Sequence, residues 1–509
     1  MHHRRRLTAG AAVAVLTGAV AAAAATGVLP HRDDLPPEDR ARVAAVTAPA
    51  DDFSAAERFE ALPGGAATVQ KIVNRDIFSH PSANLSFEGR QNFAVGNGLF
   101  RKDWVSAPSS TQASDGLGPL FNARSCQGCH LKDGRGHPPL NAEDDAVSML
   151  IRLSVPPTSE ADRQRLADRT VLALAEPTYG TQLQDFAVPG LAAEGRIRLT
   201  YEDVPVELNG GETVVLRKPA FAITDPGFGP MHDDVMTSAR IAQPMIGLGL
   251  LEAVGADDIL AAADADDADG DGISGRPNMV RDPETGEVTL GRFGWKAIKP
   301  TIRAQSAGAF SGDMGLSSPP EPDHFGDCTD SQTDCRALPH GAQARLGAEE
   351  VPEDLLDLVV FYSANLAVPE RRDIDDPQVL AGKEQFYAAG CSACHTPKFV
   401  TRRDADREAH RFQLIWPYSD MLLHDMGEGL ADGRPEGDAD GREWRTQPLW
   451  GIGLTQTVNE EATFLHDGRA RTILEAILWH GGEAQAARDS VVEMAPDQRA
   501  DLIRFLESL

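Results

Sequence analysis

Two stretches decide how this chain is read: "RSCQGCH", Arg124 to His130, and "AGCSACH", Ala389 to His395. Each contains Cys-x-x-Cys-His. Paired thiols at this spacing can add to the two vinyl groups of a haem, and the next residue's imidazole then reaches the iron. The rival readings are a zinc site and a thioredoxin-like redox pair. A zinc site built from both motifs leaves the repeated histidine without a purpose, and a redox pair needs no following histidine. The motifs therefore read as two c-type haem attachment sites. Cys126 and Cys129 serve the first, with His130 as iron ligand; Cys391 and Cys394 serve the second, with His395 as iron ligand.

Each motif follows a similar approach segment, "GNGLFRKDWV" and then "LFNARSCQGCH" in the first case and "AGKEQFYAAGCSACH" in the second. A glycine and an aromatic-bearing helix lead into each motif, so the chain reads as two cytochrome c-like halves, an internal repeat. The predicted fold class is mainly α. A β-containing insertion is expected over 146–290, where "VSMLIRLSV", "GRIRLTY" and "ETVVLRKPAFAI" alternate as strands do. The expected order is an export signal at 1–30, a mobile linker at 31–62, a first haem domain at 63–320 and a disulfide loop at 321–345. A second, mostly helical haem domain follows at 346–509.

The first thirty residues carry a basic start and a long Ala/Val/Leu run with small residues at its end, the pattern of an export signal. Cleavage near Ala23 to Ala25 and retention as an anchor are both open; no later segment is long and apolar enough to span a membrane. The expected location is periplasmic or otherwise outside the cytoplasm. Net charge is −29, which argues against nucleic acid as a partner and suits a basic redox protein, although a solvated acidic surface is the plainer reading. The two remaining cysteines, Cys328 and Cys335 in "DCTDSQTDC", read as a local disulfide, with a catalytic dithiol as the sharper alternative. In "DDADGDGISGRPN", Asp267, Asp269, Asp271 and the Ile273 carbonyl match the first half of an EF-hand-type calcium loop. Asn278 stands where the bidentate Glu belongs, and the alternative is a solvated acidic loop.

Longer strings carry a resemblance. "SSTQASDGLGPLFNARSCQGCHLKDGRGHPP", "GLGLLEAVG", "GRFGWKA", "LLHDMGEGLADGRPEG", "WRTQPLWGIGLT" and "FLHDGRARTILEAILWHGGEA" look like the bacterial di-haem cytochrome c peroxidase and MauG superfamily. They resemble most its exported di-haem oxidoreductase branch, labelled "thiol oxidoreductase". The resemblance covers most of the chain after the linker. It implies an N-terminal haem with an openable sixth position, where peroxide or oxygen reacts, and a six-coordinate C-terminal haem that handles electrons. It places Trp295 between the haems, Gln305 and Asp313 on the distal side of the first, and Phe310 where a rubber-cleaving relative has an apolar distal residue. Asp313 departs from the family's Glu and comes at shorter spacing. Core packing, a helix surface and a cap are the plain alternatives for Trp295, Gln305 and Asp313.

The segment "RTILEAILWHGG" puts Ile473, Ala476, Ile477 and His480 on one helical face. By the resemblance, His480 lies where the peroxidases place Met and the methylamine-utilisation enzyme places Tyr, which makes it the expected sixth ligand of the second haem. His466 and Asp467 are expected to be structural, and His424 to line the second haem. For the sixth position of the first haem the sequence offers His137 and Met245. Two functions stay open. One is a di-haem peroxidase-like enzyme fed by a small cytochrome or copper protein; the other is a non-catalytic electron-transfer cytochrome.

Overall fold

The computed structural model describes residues 29, 31–141, 144, 145 and 147–509. Residues 1–28, most of the expected export signal, lie outside them. The main helices are α1 (Pro37–Thr47), α2 (Phe87–Phe100), α3 (Ile302–Met314), α4 (Glu353–Ala364), α5 (Pro377–Ala388), α6 (Ile473–Leu478), α7 (Gln485–Glu493) and α8 (Pro496–Ser508). The strands that position the site are β1 (Met149–Ser154), β2 (Arg196–Glu207), β3 (Thr213–Thr224), β4 (Met236–Ile241), β5 (Leu423–Asp425) and β6 (Glu443–Arg445).

A mainly α fold is not what forms. Helix accounts for 29% of the chain and strand for 17%, in several small sheets. The physical reason lies in the stretches between motifs. The 47 Gly and 34 Pro break helices throughout, and β-branched runs pair instead. β2 and β3 make a long antiparallel hairpin, in register from Arg196 opposite Thr224 to Glu207 opposite Thr213. β1 pairs antiparallel with β4, and β5 with β6. The region after the second motif, expected to be mostly helical, runs through short strands, turns and single helical turns until α6.

The helix that precedes each Cys-x-x-Cys-His packs on a helix much later in the chain. α2 lies against α4 and α5 against α8. Both contacts are closed by a glycine. A Cβ on Gly96 would overlap the Leu358 carbonyl and approach Tyr362 Cβ to 2.7 Å. A Cβ on Gly382 would overlap the Asp501 carbonyl and approach Phe505 Cβ to 2.7 Å. The expected internal repeat thus has a packing counterpart: the same glycine-mediated crossing supports each motif. The largest apolar cluster runs from Ala67 to Val458 and includes residues of both halves.

Residues 31–62 are not a mobile linker. Leu35 and Val43 are buried against Val400. Arg32 is 1% exposed, bonded through Nε to Asp34 (2.8 Å) and through Nη1 to the Val400 carbonyl (2.9 Å). Glu60 is buried against Arg371 and Lys383. A polar composition hid this docking because its partners lie hundreds of residues away. Among the described residues no helix is long and apolar enough to cross a membrane.

Candidate functional site

Cys126 to Cys129 forms a single helical turn, and the His130 N–H closes it on the Cys126 carbonyl (3.0 Å). Cys391 to Ala393 makes a 3-10 turn, closed by the His395 N–H on the Cys391 carbonyl (3.0 Å). Each motif histidine meets an aromatic from the helix before it. Phe100 lies 6.3 Å from His130 at 49° and Phe386 lies 6.4 Å from His395 at 55°. Those rings rest on Tyr362 (5.1 Å) and Phe505 (5.3 Å). The four cysteines are free, and burial pushes the Cys126 and Cys391 thiols up to about 12. Thiols held in that state are poor redox or metal-binding groups at neutral pH.

The histidines divide by how their nitrogens are used. His130 Nδ1 meets the Gln243 carbonyl (2.7 Å), His395 Nδ1 the Tyr418 carbonyl (2.9 Å) and His480 Nδ1 the Ala476 carbonyl (2.8 Å). A carbonyl can only accept, so Nδ1 carries the proton in all three, and Nε2 keeps a lone pair for a metal. Burial lowers the pKa of each, His395 to about 4, which keeps the imidazoles neutral. His424 is different: Nε2 meets Asp420 (2.8 Å) and Nδ1 meets Glu483 (2.6 Å), so neither nitrogen is free. His466 stacks on Trp444 at 3.7 Å.

His130 opens into a cavity with about 1350 Å³ free of protein atoms, part of it continuous with solvent. One wall is α3. Thr301 caps its start by accepting the Ala304 N–H (3.0 Å), and Gly315 ends it. Ile302, Gln305, Ser306, Ala309, Phe310 and Asp313 recur at helical spacing and all line the cavity. Gln305, Phe310 and Asp313 thus come together on one face. Burial drives the Asp313 carboxyl up, against Arg152 and a hydrogen bond from Gln182 Nε2 to Oδ1 (2.9 Å). Gln182 also donates to Asn122, whose Nδ2 donates to Asp185 Oδ1 (2.8 Å). Met245 lines the cavity but is tied to the motif segment, its N–H on the Asp133 carbonyl (2.9 Å). His137 lies elsewhere, its Nδ1 on its neighbour's carbonyl.

His395 and His480 line a second cavity, with about 1600 Å³ free of protein atoms. α6 ends at Leu478, one turn before the glycines, so His480 sits just past the helix rather than on it. Its N–H still reaches the Ile477 carbonyl (3.0 Å), which keeps it on the helical face read from the sequence. Among the described residues, Trp295 alone lines both cavities. It is buried, and its Nε1 donates to the Ile241 carbonyl at the end of β4 (2.9 Å).

The second cavity also has a buried cation without a matching anion. Arg135 Nε there has no hydrogen-bond partner; Arg152 Nε, in the first, has none either, but Arg152 is half-buried and its charge acts on Asp313 and Glu436. Arg135 lies over Trp295 and Phe464, and burial lowers it to about 10 with no carboxylate beside it. Arg445, lining the second cavity, is likewise lowered to about 10 by burial. A buried cation left in this state is costly. The two carboxylates of a haem are the groups that would relieve it. The neutral imidazoles and the paired thiols fit a haem in each cavity, and Arg135 fits its carboxylates in the second. Sequence reasoning missed Arg135, Arg445 and Gln182, because nothing in the sequence distinguishes an arginine buried without a facing carboxylate, or a glutamine that holds one in place.

Elsewhere, Cys328 and Cys335 are bonded to one another, with Cα atoms 6.4 Å apart. In the acidic loop, the carboxylates that converge are Asp264, Asp267 and Asp269. The sequence reading omitted Asp264 and included Asp271, whose carboxylate instead accepts the Ile273 N–H (2.8 Å). Ile273, whose carbonyl was the fourth expected ligand, lines the second cavity with Asp271. Asn278 is buried and donates to the Lys296 (2.7 Å) and Glu436 (3.0 Å) carbonyls, so it serves the fold and not an ion.

Comparison with known proteins agrees with this geometry. A family model described as "Di-haem oxidoreductase, putative peroxidase" matches residues 59–509. The chain belongs to that di-haem oxidoreductase family. No curated protein matches it. Six chains of solved structures do. One is titled "Kuenenia stuttgartiensis Hydrazine Synthase Pressurized with 20 bar Xenon". It is 13% identical, covers 70% of this chain and 90% of its own, and has a TM-score of 0.25. A likeness that slight carries no argument about fold or activity.

Proposed function

We propose that this protein is an exported di-haem c-type oxidoreductase that reacts peroxide at the first site with electrons delivered through the second. The observation that carries the reading is the asymmetry of two otherwise matching cavities joined by Trp295. The second contains His395 and His480, each with Nδ1 tied to a backbone carbonyl and Nε2 free. The first contains one, His130, and faces it with Gln305, Phe310 and Asp313. A haem held by His130 in the first cavity, and one held by His395 and His480 in the second, would supply the redox chemistry.

The chain's own residues then have definite tasks. Cys126, Cys129, Cys391 and Cys394 would hold the haems covalently. Arg135 and Arg445 would meet haem carboxylates in the second cavity. Phe310, 2% exposed, keeps the distal wall apolar. Burial raises the Asp313 carboxyl, Oδ1 accepts from Gln182, and Oδ2 is left to take or give a proton in the first cavity as peroxide reacts. Trp295 offers an aromatic ring between the two sites. The strongly acidic exterior suits a basic electron donor, a small cytochrome or copper protein. Asp264, Asp267 and Asp269 are offered as a Ca2+ site.

The test is direct. Mass spectrometry of the exported protein should find two haems bound covalently, lost in pairs of Cys→Ala variants. Peroxide should oxidise a reduced small cytochrome only in its presence. Covalent haem without peroxide turnover would favour the electron-carrier reading, and no covalent haem would overturn both.

A further inference from the structure

The disulfide loop holds a cluster that the haem chemistry does not use. His324 Nδ1 lies 2.9 Å from Glu350 Oε2, and His340 Nδ1 lies 3.8 Å from Glu350 Oε1. The two imidazoles stack with centroids 4.2 Å apart and planes within 11°. One ligand atom from each of the three residues lies within 4.8 Å of the others. We propose that His324, His340 and Glu350 bind a single divalent transition ion, with Zn2+ as the probe.

A hydrogen bond from His324 to Glu350 explains half of this arrangement. It leaves out His340, which is too far to bond the carboxylate yet turns the same nitrogen toward it. An ion between three donors accounts for both rings. Two imidazole nitrogens and one carboxylate oxygen select a borderline ion over Ca2+ or Mg2+, which prefer oxygen alone. The carboxylate is fixed as metal-binding carboxylates are. Its oxygens accept the backbone N–H groups of Ser317 (3.1 Å), Gly341 (3.0 Å) and Ala342 (3.1 Å), and Ser317 Oγ also meets Oε2. Ser317 Oγ also lies 2.9 Å from His324 Nδ1. The Glu350 side chain is fully buried, while those of His324 and His340 are 27% and 43% exposed. The open side leaves a position for water, as in zinc sites with two histidines and a glutamate.

The location gives the site a consequence. Cys328 and Cys335, between the two histidines, staple the loop. Ser317 lies three residues past the end of α3, so an ion here would tie the loop to the helix that carries Gln305, Phe310 and Asp313.

The haem-loaded full-length protein should be stripped with EDTA, incubated with Zn2+ in excess Ca2+ to occupy the separate acidic loop, and dialysed. We expect one zinc for every two irons. The Zn K-edge spectrum should show imidazole nitrogen and carboxylate oxygen at about 2.0–2.1 Å and no sulfur. His324→Ala/His340→Ala should weaken zinc binding by ~100-fold or more while the haem spectra stay unchanged. No retained zinc, sulfur in the shell, or full retention by the double variant would overturn the proposal. If the double variant does not fold, His340→Ala alone and the wild-type edge spectrum decide between the same outcomes.

Discussion

Gly96 and Gly98 sit two residues apart in α2, and alanine at each should act with opposite sign. In an exposed helix interior, Gly→Ala gains about 1 kcal/mol by restricting the unfolded chain and favouring the helix. Gly98 is exposed and a Cβ there meets nothing within 4 Å, so Gly98→Ala should stabilise by about that amount. Gly96→Ala has the same intrinsic gain, but its Cβ would overlap the Leu358 carbonyl and press on Tyr362 Cβ at 2.7 Å. Both obstacles belong to the body of α4 and cannot rotate away as a flexible side-chain tip could. Overpacking of this kind costs about 1–3 kcal/mol, and more when backbone must shift. The net effect should be a loss; the intrinsic gain is common to both variants, so they should be separated by the overpacking cost, about 1–3 kcal/mol. Separation of α2 from α4 would also move Phe100 and Tyr362, which buttress His130. The assay is urea denaturation of both variants beside wild type, with hydrogen exchange over Phe93–Phe100 and the haem absorption spectrum. Equal stability of the two variants, or a more stable Gly96→Ala, would refute the claim that this crossing supports the first site.

Other outcomes follow from the same geometry. The fall of Arg135 to about 10 from its usual 12.5 corresponds to about 3 kcal/mol of unrelieved burial. Arg135→Met should therefore lower the reduction potential of the second haem, since the cation that favours the added electron is gone; an unchanged potential in spectroelectrochemistry would separate Arg135 from that haem. Asp313→Asn should cut peroxide turnover by ~100-fold or more if it moves the proton. Burial raises the Asp313 pKa, so the donor proton is present below that raised value and activity should decline as pH rises through it. Steady-state rates against pH should show this alkaline limb in wild type and not in Asp313→Asn. Burial alone would raise Asp34, but hydrogen bonds from Arg32 and the Arg403 N–H win and hold it at about 2. Its contribution to docking of the N-terminal segment is full above the ordinary carboxylate range and should be lost as pH falls from about 4 to about 2. Limited proteolysis between residues 31 and 47 across that window reads it.

Local chemistry was legible in the sequence where it depends on spacing. The two Cys-x-x-Cys-His motifs set their own turns. Resemblance, not spacing, singled out Gln305, Phe310 and Asp313, and a helical stripe ending on an imidazole drew attention to His480, whose ligand role came from the resemblance. What stayed hidden depends on distant partners. Arg32 and Glu60 read as linker residues until Val400, Arg371 and Lys383 are seen beside them. Asn278 looked like a defective calcium ligand, whereas it bridges carbonyls of residues 296 and 436. The mainly α expectation failed because the motifs sit at helix ends and say little of the residues between. There, glycine, proline and β-branched runs favour hairpins and loops.

The proposed asymmetry would leave a haem iron in the first cavity with His130 as its only histidine ligand and one in the second with both His395 and His480. Low-temperature EPR of the oxidised, haem-loaded protein and of His480→Ala tests it most directly. We expect one high-spin and one low-spin ferric signal in the wild type, with the low-spin signal lost in the variant. Two low-spin signals in the wild type, or a low-spin signal that survives in His480→Ala, would contradict it.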